Sequence, residues 1–319
     1  MRANHYGATT TTDEVLRGID LRGKVAVVTG SSTGLGLETS RALAQAGATV
    51  VMAARDRCKN TGALATVRAQ VPAARLLDVT LDLGDLNSVR RASARILAVQ
   101  PRIDLIVNNA GVMACPLTRT AEGCEGQFGT NHVGHFLFTC LLAPALRKSA
   151  AARVVCLSSS GHMHAAMDFD DPHFERRPYD PWIAYGQSKT ANVLFAVALS
   201  QRLGRFGIHA NAVHPGAIAT ELGRYLGADD IQRMLAAFGE SAALVYKDVK
   251  QGAATSVWAA VAPELAGVGG RYLEDCALAA EAQQAMALTG YMPYAVDPAA
   301  AERLWRLSED IVGQRFDFG

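Results

Sequence analysis

No two cysteines of this chain stand in a Cys-x-x-Cys pair. The six present (Cys58, Cys115, Cys124, Cys140, Cys156, Cys276) are scattered, which excludes a zinc ribbon or a dithiol redox motif. Such spacing fits buried free thiols in a reducing compartment. An excess of charge of either sign is also missing. Thirty-one basic residues face 30 acidic ones for a net charge of +1, so neither nucleic acid nor an anionic membrane is the expected partner. The longest apolar candidate, FLFTCLLAPAL (136–146), is far short of the ~20 residues a spanning helix needs and reads as a buried helix. The N-terminus, MRANHYGATTTTDEV, is polar and carries no secretory apolar core. There is no internal repeat and no low-complexity linker. These absences leave a cytoplasmic globular protein. Its 319 residues, 50% hydrophobic, suffice for one large core. His162, His164 and His173 fit no firm metal-ligand set and read as surface or loop histidines, and Asp168, Asp170 and Asp171 as a solvated acidic turn. No metal is expected.

What is present is an alternation of periods. Short β-branched runs at 24–29, 49–54, about 75–82, 103–109, 153–159, 208–215 and 270–275 are separated by helical stretches such as GLETSRALAQAG (36–47). Continuous apolar strands between helices predict a parallel sheet covered on both faces. The fold class is therefore α/β, a doubly wound Rossmann-type sheet of about seven strands in a single domain, 23–319. Residues 1–22 form a leader in which Thr11 and Glu14 have capping-box spacing for a short helix. Two segments exceed simple crossovers: 160–182, rich in His, Pro and charge, and about 221–265. The second is expected to be a substrate loop, and LGRYLGADDIQRMLAAFGE within it is amphipathic enough for a lid. A C-terminal extension follows.

Gly30, Gly34 and Gly36 sit between the first strand and the first helix. Glycines let the backbone turn sharply and approach a pyrophosphate, while the helix N-terminus offers free N–H groups. Tyr185 and Lys189, in AYGQSKTANVLF, are four residues apart and share a helix face. Taken alone, the pair is equally a ring packed on a lysine stem. As an active pair, the ammonium favours phenolate and lowers the phenol's pKa from ~10, allowing proton transfer in either direction.

The spacing Thr29-Gly30-x-x-x-Gly34-x-Gly36, NNAG (108–111), SS (158–159), Tyr185-x-x-x-Lys189 and HPGAIAT (214–220) occur in order. In this the chain resembles the short-chain dehydrogenase/reductase family over about residues 20–275, with the texture of its retinol dehydrogenase-like and WW-domain oxidoreductase-like branch. The resemblance implies Tyr185 as proton donor and acceptor, with Lys189 also on the nicotinamide ribose. It implies Ser159 as the serine orienting the substrate oxygen, although by sequence Ser158 and Ser160 are alternatives. It implies Asn131, in TNHVGHF, as the holder of a relay water. Cofactor contacts carried over by position are Gly30, Ser32, Thr33, Gly34, Leu35, Gly36, Arg55, Asp82, Leu83, Asn109, Ala110, Gly111, Tyr185, Lys189, Pro215, Gly216, Ile218 and Thr220. Ser159 and Tyr185 are 26 positions apart, about twice the usual gap, so an insertion precedes the tyrosine.

The expected cofactor is NADP(H), with NAD(H) possible. Ala54 stands where an NAD enzyme usually places a carboxylate, and Arg55 follows with a guanidinium suited to a 2′-phosphate. Arg57 and Lys59 add positive field, Asp56 is close enough to blunt it, and Thr33 replaces a second basic contact common in NADP enzymes of the family. The expected reaction is interconversion of a small, hydrophobic ketone or aldehyde with its alcohol. Reduction of a C=C bond and a catalytically silent nucleotide-binding regulator are the rivals, and a homodimer or homotetramer stays open.

Overall fold

The computed structural model describes residues 6–227, 246–283 and 289–319. Its centre is an eight-stranded sheet in the order β3-β2-β1-β4-β5-β6-β7-β8. The strands are β1 Val25–Thr29, β2 Thr49–Ala54, β3 Arg75–Thr80, β4 Leu105–Asn108, β5 Arg153–Leu157, β6 His209–His214, β7 Tyr272–Glu274 and β8 Ala277–Leu278. β1 to β7 pair in parallel. β8 folds back antiparallel on β7 and is the strand that the seven-strand expectation omits. Both its residues are exposed, and its turn rests on Asp275 and Cys276 at positive φ (49° and 56°), so no apolar run or glycine announces it.

Side chains alternate between the two faces of the sheet. Val25 and Val27 join a core with Leu86, Phe136, Leu194 and Trp305, while Ala26 and Val28 join a second with Leu43, Val67 and Trp258. The covering helices are α1 Gly34–Gln45, α2 Arg57–Gln70, α3 Leu86–Val99, α4 Gly134–Leu146, α5 Pro181–Leu203, α6 Val249–Val261 and α7 Pro298–Val312. β1 leads outward to β2 and β3 on one side, and β4 starts the other half, so the order reverses between β1 and β4. Ligands of open α/β sheets bind outside the strand ends at such a switch point. Among the described residues no helix is long and apolar enough to cross a membrane.

The leader does contain a helical turn, Thr12–Val15, with both bonds of the Thr11–Glu14 capping box. It docks rather than trails. Thr12 hydrogen-bonds Glu38 of α1 at 2.5 Å, and Asp13 pairs with Arg41 and Lys250.

Three expectations are corrected. The substrate loop is shorter than 221–265, because Val249–Val261 is α6, a core helix capped by Asp248 and packed on α1 and β5. Its small side chains are buried nearly all round, which left no amphipathic signature. Most of the lid-like stretch, 228–240, lies outside the described residues. The acidic turn is not simply solvated: Asp171 is buried, accepts from the N–H groups of Glu175 and Arg176, and faces Arg177. His162 is fully buried rather than a surface-loop residue. Of the cysteines, Cys58 is exposed and the other five are buried.

Candidate active site

β1 ends at Thr29 and the chain turns through Gly30 and Gly34, both at positive φ (64° and 54°). A Cβ on Gly36 would overlap the carbonyl oxygen of Gly30 and lie 2.5 Å from Asn109 Nδ2. The third glycine is thus required by the close approach of α1 to the turn. Thr33 is the N-cap of α1, yet its side chain accepts no helix N–H. Asn109, just beyond β4, braces the turn by donating from Nδ2 to Thr29 O (2.8 Å), and the Asn109 and Ala110 amides donate to Thr29 Oγ1. Ser32, Thr33 and Leu35 are half-buried on the same turn.

Arg55 is exposed immediately after β2. Asp56 does not neutralise it. Its carboxylate caps α2, accepting from Lys59 N at 3.0 Å, and no ion pair of Arg55 occurs among the described residues. Asp82 accepts from Gly84 N, and Leu83 beside it is buried. The segment Pro215–Thr220 forms the opposite wall. Ile218 packs on Gly252 of α6 and lies beside Leu35, while the Thr220 methyl is 3.4 Å from where a Cβ of Gly34 would be. Gly216, at φ 97°, lies against the stem of Lys247, whose ammonium pairs with Asp275.

α5 starts at Asp180, which caps it, with Pro181 in its first turn. Tyr185 and Lys189 are each only 3% exposed. Lys189 Nζ donates to Leu157 O (3.2 Å) and sits 5.6 Å from the Tyr185 ring centroid. Asn131 lies in a π-helical turn, Gly129–Val133, just before α4. Its Oδ1 accepts from Val112 N (2.8 Å), and its Nδ2 donates to Val112 O and to Ser188 Oγ (2.9 Å each). A Cβ on Gly111 would lie 3.2 Å from Asn131 Oδ1 and 3.4 Å from Lys189 Nζ, so these three residues meet.

The three serines after β5 separate by environment. Ser158 is buried and donates to Lys189 O (2.9 Å). Ser160 opens a 3₁₀ turn, Ser160–His164, and its N–H donates to His214 Nδ1. Ser159 caps that turn, accepting from Gly161 N. Its hydroxyl and the Tyr185 ring flank Gly161: a Cβ there would lie 3.3 Å from Ser159 Oγ and 2.7 Å from Tyr185 Cε1. Of the three serines, Ser159 is the one beside the tyrosine.

Burial governs the ionisation of the pair. It pushes the Tyr185 phenol up to about 12, with the Ser159 bond acting in the opposite direction, and pushes Lys189 down to about 8. The expectation of a lowered phenol is therefore corrected for the protein alone: burial is the largest influence and raises it, and Tyr185 is a neutral acid at pH 7.

Two histidines, neither expected at the site, brace these residues. His135 bonds Asn131 O through Nδ1 and Thr29 Oγ1 through Nε2, both at 2.8 Å. His162 bonds Ser159 O at 2.7 Å. The signal was the fixed spacing of each histidine from Asn131 and Ser159, in TNHVGHF and SSSGHMH. Among the described residues no cluster of three or more His, Cys, Asp or Glu could hold a metal.

A Rossmann-type sheet with a glycine turn at its switch point defines a nucleotide-binding protein. The short chain dehydrogenase model matches residues 24–231. A probable oxidoreductase of Streptomyces lividans is 44% identical over 92% of this chain and 98% of its own. Human retinol dehydrogenase 13 is 40% identical over 91% of this chain and 85% of its own. A solved structure of an uncharacterised Mycobacterium paratuberculosis protein superposes with a TM-score of 0.74 at 32% identity, covering 98% of this chain and 99% of that one. The chain belongs to the short-chain dehydrogenase/reductase family, oxidoreductases that act on CH–OH and C=O groups with NAD(P).

Proposed function

We propose that the protein is an NADP(H)-dependent oxidoreductase interconverting a hydrophobic aldehyde or ketone with its alcohol, with Ser159, Tyr185, Lys189 and Asn131 as its working residues. The observation that carries this reading is that Ser159 and Tyr185 flank Gly161 beside Lys189, at the strand ends that also carry the glycine turn. The turn suits a dinucleotide because Gly36 lets α1 approach closely and no side chain caps its N-terminus. Gly30, Ser32, Thr33, Gly34, Leu35 and Gly36 would hold the pyrophosphate, and Arg55 a 2′-phosphate. Asp82, Leu83, Asn109, Ala110 and Gly111 would line the adenosine side, and Pro215, Gly216, Ile218 and Thr220 the nicotinamide side. When bound, the nicotinamide supplies or accepts hydride.

The chain's own part is proton transfer. Ser159 and Tyr185 both hydrogen-bond the substrate oxygen, and Tyr185 gives up its proton as that oxygen becomes an alcohol. Lys189 stabilises the resulting phenolate by charge. Asn131 fixes the 111–112 backbone against Lys189. The name of the human relative suggests apolar allylic substrates, so the test is NADPH consumption with retinal, aromatic ketones and aliphatic aldehydes, with products identified. Exclusive reduction of a C=C bond would replace this reading with the rival chemistry.

Two variant sets accompany it. Ser159→Ala is expected to lose about 10²–10³ in kcat, the range for one oxyanion-type donor, whereas Ser158→Ala and Ser160→Ala keep activity within about tenfold. Ser158→Ala should lower stability by about 1 kcal/mol, because it deletes a buried hydrogen bond to Lys189 O. A dead Ser160→Ala would place the working hydroxyl elsewhere. Arg55→Ala should cut kcat/KM for NADPH by about 10- to 100-fold, the worth of one charge-assisted bond, and leave NADH unchanged. Full retention of NADPH preference would remove Arg55 from the phosphate site.

A further inference from the structure

His162 stands in the insertion between Ser159 and Tyr185, is wholly buried, and has no part in the chemistry above. Its bonds are specific at both ring nitrogens. Nδ1 lies 2.7 Å from Ser159 O, and a carbonyl can only accept, so this nitrogen carries the proton. Nε2 accepts from Met292 N at 3.1 Å, across 130 residues of sequence. Burial holds the ring's pKa at about 4, which keeps this neutral tautomer at physiological pH. The His162 carbonyl accepts from Thr190 Oγ1, one residue after Lys189, and from Tyr294 Oη at 2.8 Å. The far end is itself fixed: Tyr291 N donates to Ala280 O, Ala282 N to Tyr291 O, and Gly290 N to Glu274 at the end of β7. Residues 291–294 lie well beyond 231, where the family match ends.

We propose that His162 is a positioning residue, a strut through which the C-terminal segment Tyr291–Tyr294 fixes the Ser159 carbonyl and thereby its hydroxyl. This rests on the reading that Ser159 orients the substrate oxygen. Ser159 lies two residues beyond the end of β5, and among the described residues its carbonyl is otherwise held only by the 3₁₀ bond from His162 N. A displacement of about 1 Å at such a group can cost about 10²-fold in rate.

The test is a double-mutant cycle on the full-length protein, reading kcat, cofactor dissociation constant and melting temperature. His162→Phe keeps an aromatic ring, somewhat larger than imidazole, and removes both nitrogens. It should lower kcat by about 10²-fold, with cofactor affinity within about twofold of wild type. In a Ser159→Ala background the same change should cost less than about twofold more, because the group it positions is gone. His162→Asn, which keeps a donor near Nδ1, should recover more activity than His162→Gln, which does not. Should His162→Phe fail to fold, His162→Gln takes its place in the cycle. Losses that multiply, or a fully active His162→Phe, would overturn the strut and leave Ser159 untouched. A Ser159→Ala variant within about tenfold of wild type would instead overturn the catalytic reading, and the strut with it.

Discussion

Tyr185→Phe is expected to lower kcat by about 10²–10⁴-fold, the range for a general acid–base group, while cofactor binds as in the wild type. Phenylalanine keeps the ring where it now lies, edge-on to Trp182 and in contact with Gly161, whose Cβ would fall 2.7 Å from Tyr185 Cε1. Only the hydroxyl is lost. Neighbouring Ser159 retains its bond from Gly161 N, and stability should change by no more than about 1 kcal/mol. The pH profile supplies a second signature. With a phenol pKa near about 12, Tyr185 carries its proton throughout the neutral and mildly basic range. Lys189, held near about 8, is charged below that pH and neutral above it. The ammonium favours departure of the tyrosine proton, so carbonyl reduction by the wild type should fall as pH rises through about 8. The residual rate of Tyr185→Phe should be flat there. Steady-state rates from pH 6 to 10, in buffers of fixed ionic strength, measure both effects. Activity of the variant within about tenfold of wild type would sink the assignment.

The shared face of Tyr185 and Lys189 is legible from spacing; their pKa order is not. Four-residue spacing on a helix places Tyr185 and Lys189 on one face whatever surrounds them. Charge proximity is equally visible in sequence, and by itself it favours a lowered phenol. The opposing cost of burial depends on what α4, β5 and the 3₁₀ turn exclude, and that exists only in three dimensions. The same division runs through the fold. β1, β2 and β5 are mostly apolar runs, buried along nearly their whole length, which any pairing partner leaves recognisable. β8 is two exposed residues whose strand character comes from pairing with Leu273 and Glu274. α6 is buried so completely that its sequence, VKQGAATSVWAAV, has no polar stripe to betray a helix. Choosing among Ser158, Ser159 and Ser160 required the residue at which β5 ends, Leu157, and a slip of one residue would have exchanged brace for hydroxyl. His162 sits in a stretch whose charge and proline content read as surface, and its partner Met292 lies too far along the chain for any local pattern to suggest.

Gly36→Ala should weaken cofactor binding by at least about 10²-fold, as one or two charge-assisted hydrogen bonds to a pyrophosphate are lost at about 1.5–3 kcal/mol each. Helix propensity alone predicts the opposite of damage, since alanine is favoured over glycine in a helix by about 0.8–1.0 kcal/mol. Sterics decide. The added methyl would overlap the Gly30 carbonyl oxygen and approach the Gly30 carbonyl carbon to 2.8 Å and Asn109 Nδ2 to 2.5 Å. The first two atoms are backbone, in a turn already committed to positive φ and braced by the Asn109 bond to Thr29 O, so neither can rotate away. Relief requires the N-terminus of α1 to move off the turn, carrying its amides with it. Gly62 in α2 is the control, because a Cβ there meets nothing within 4 Å. Gly62→Ala should raise stability by about 0.5–1 kcal/mol and leave cofactor affinity unchanged. Cofactor titrations and thermal melts of the two variants, run in parallel, separate a general effect of losing glycine from a specific effect at the turn. If Gly36→Ala bound NADPH within about tenfold of wild type, the turn at Gly30–Gly36 would not be what holds the phosphates.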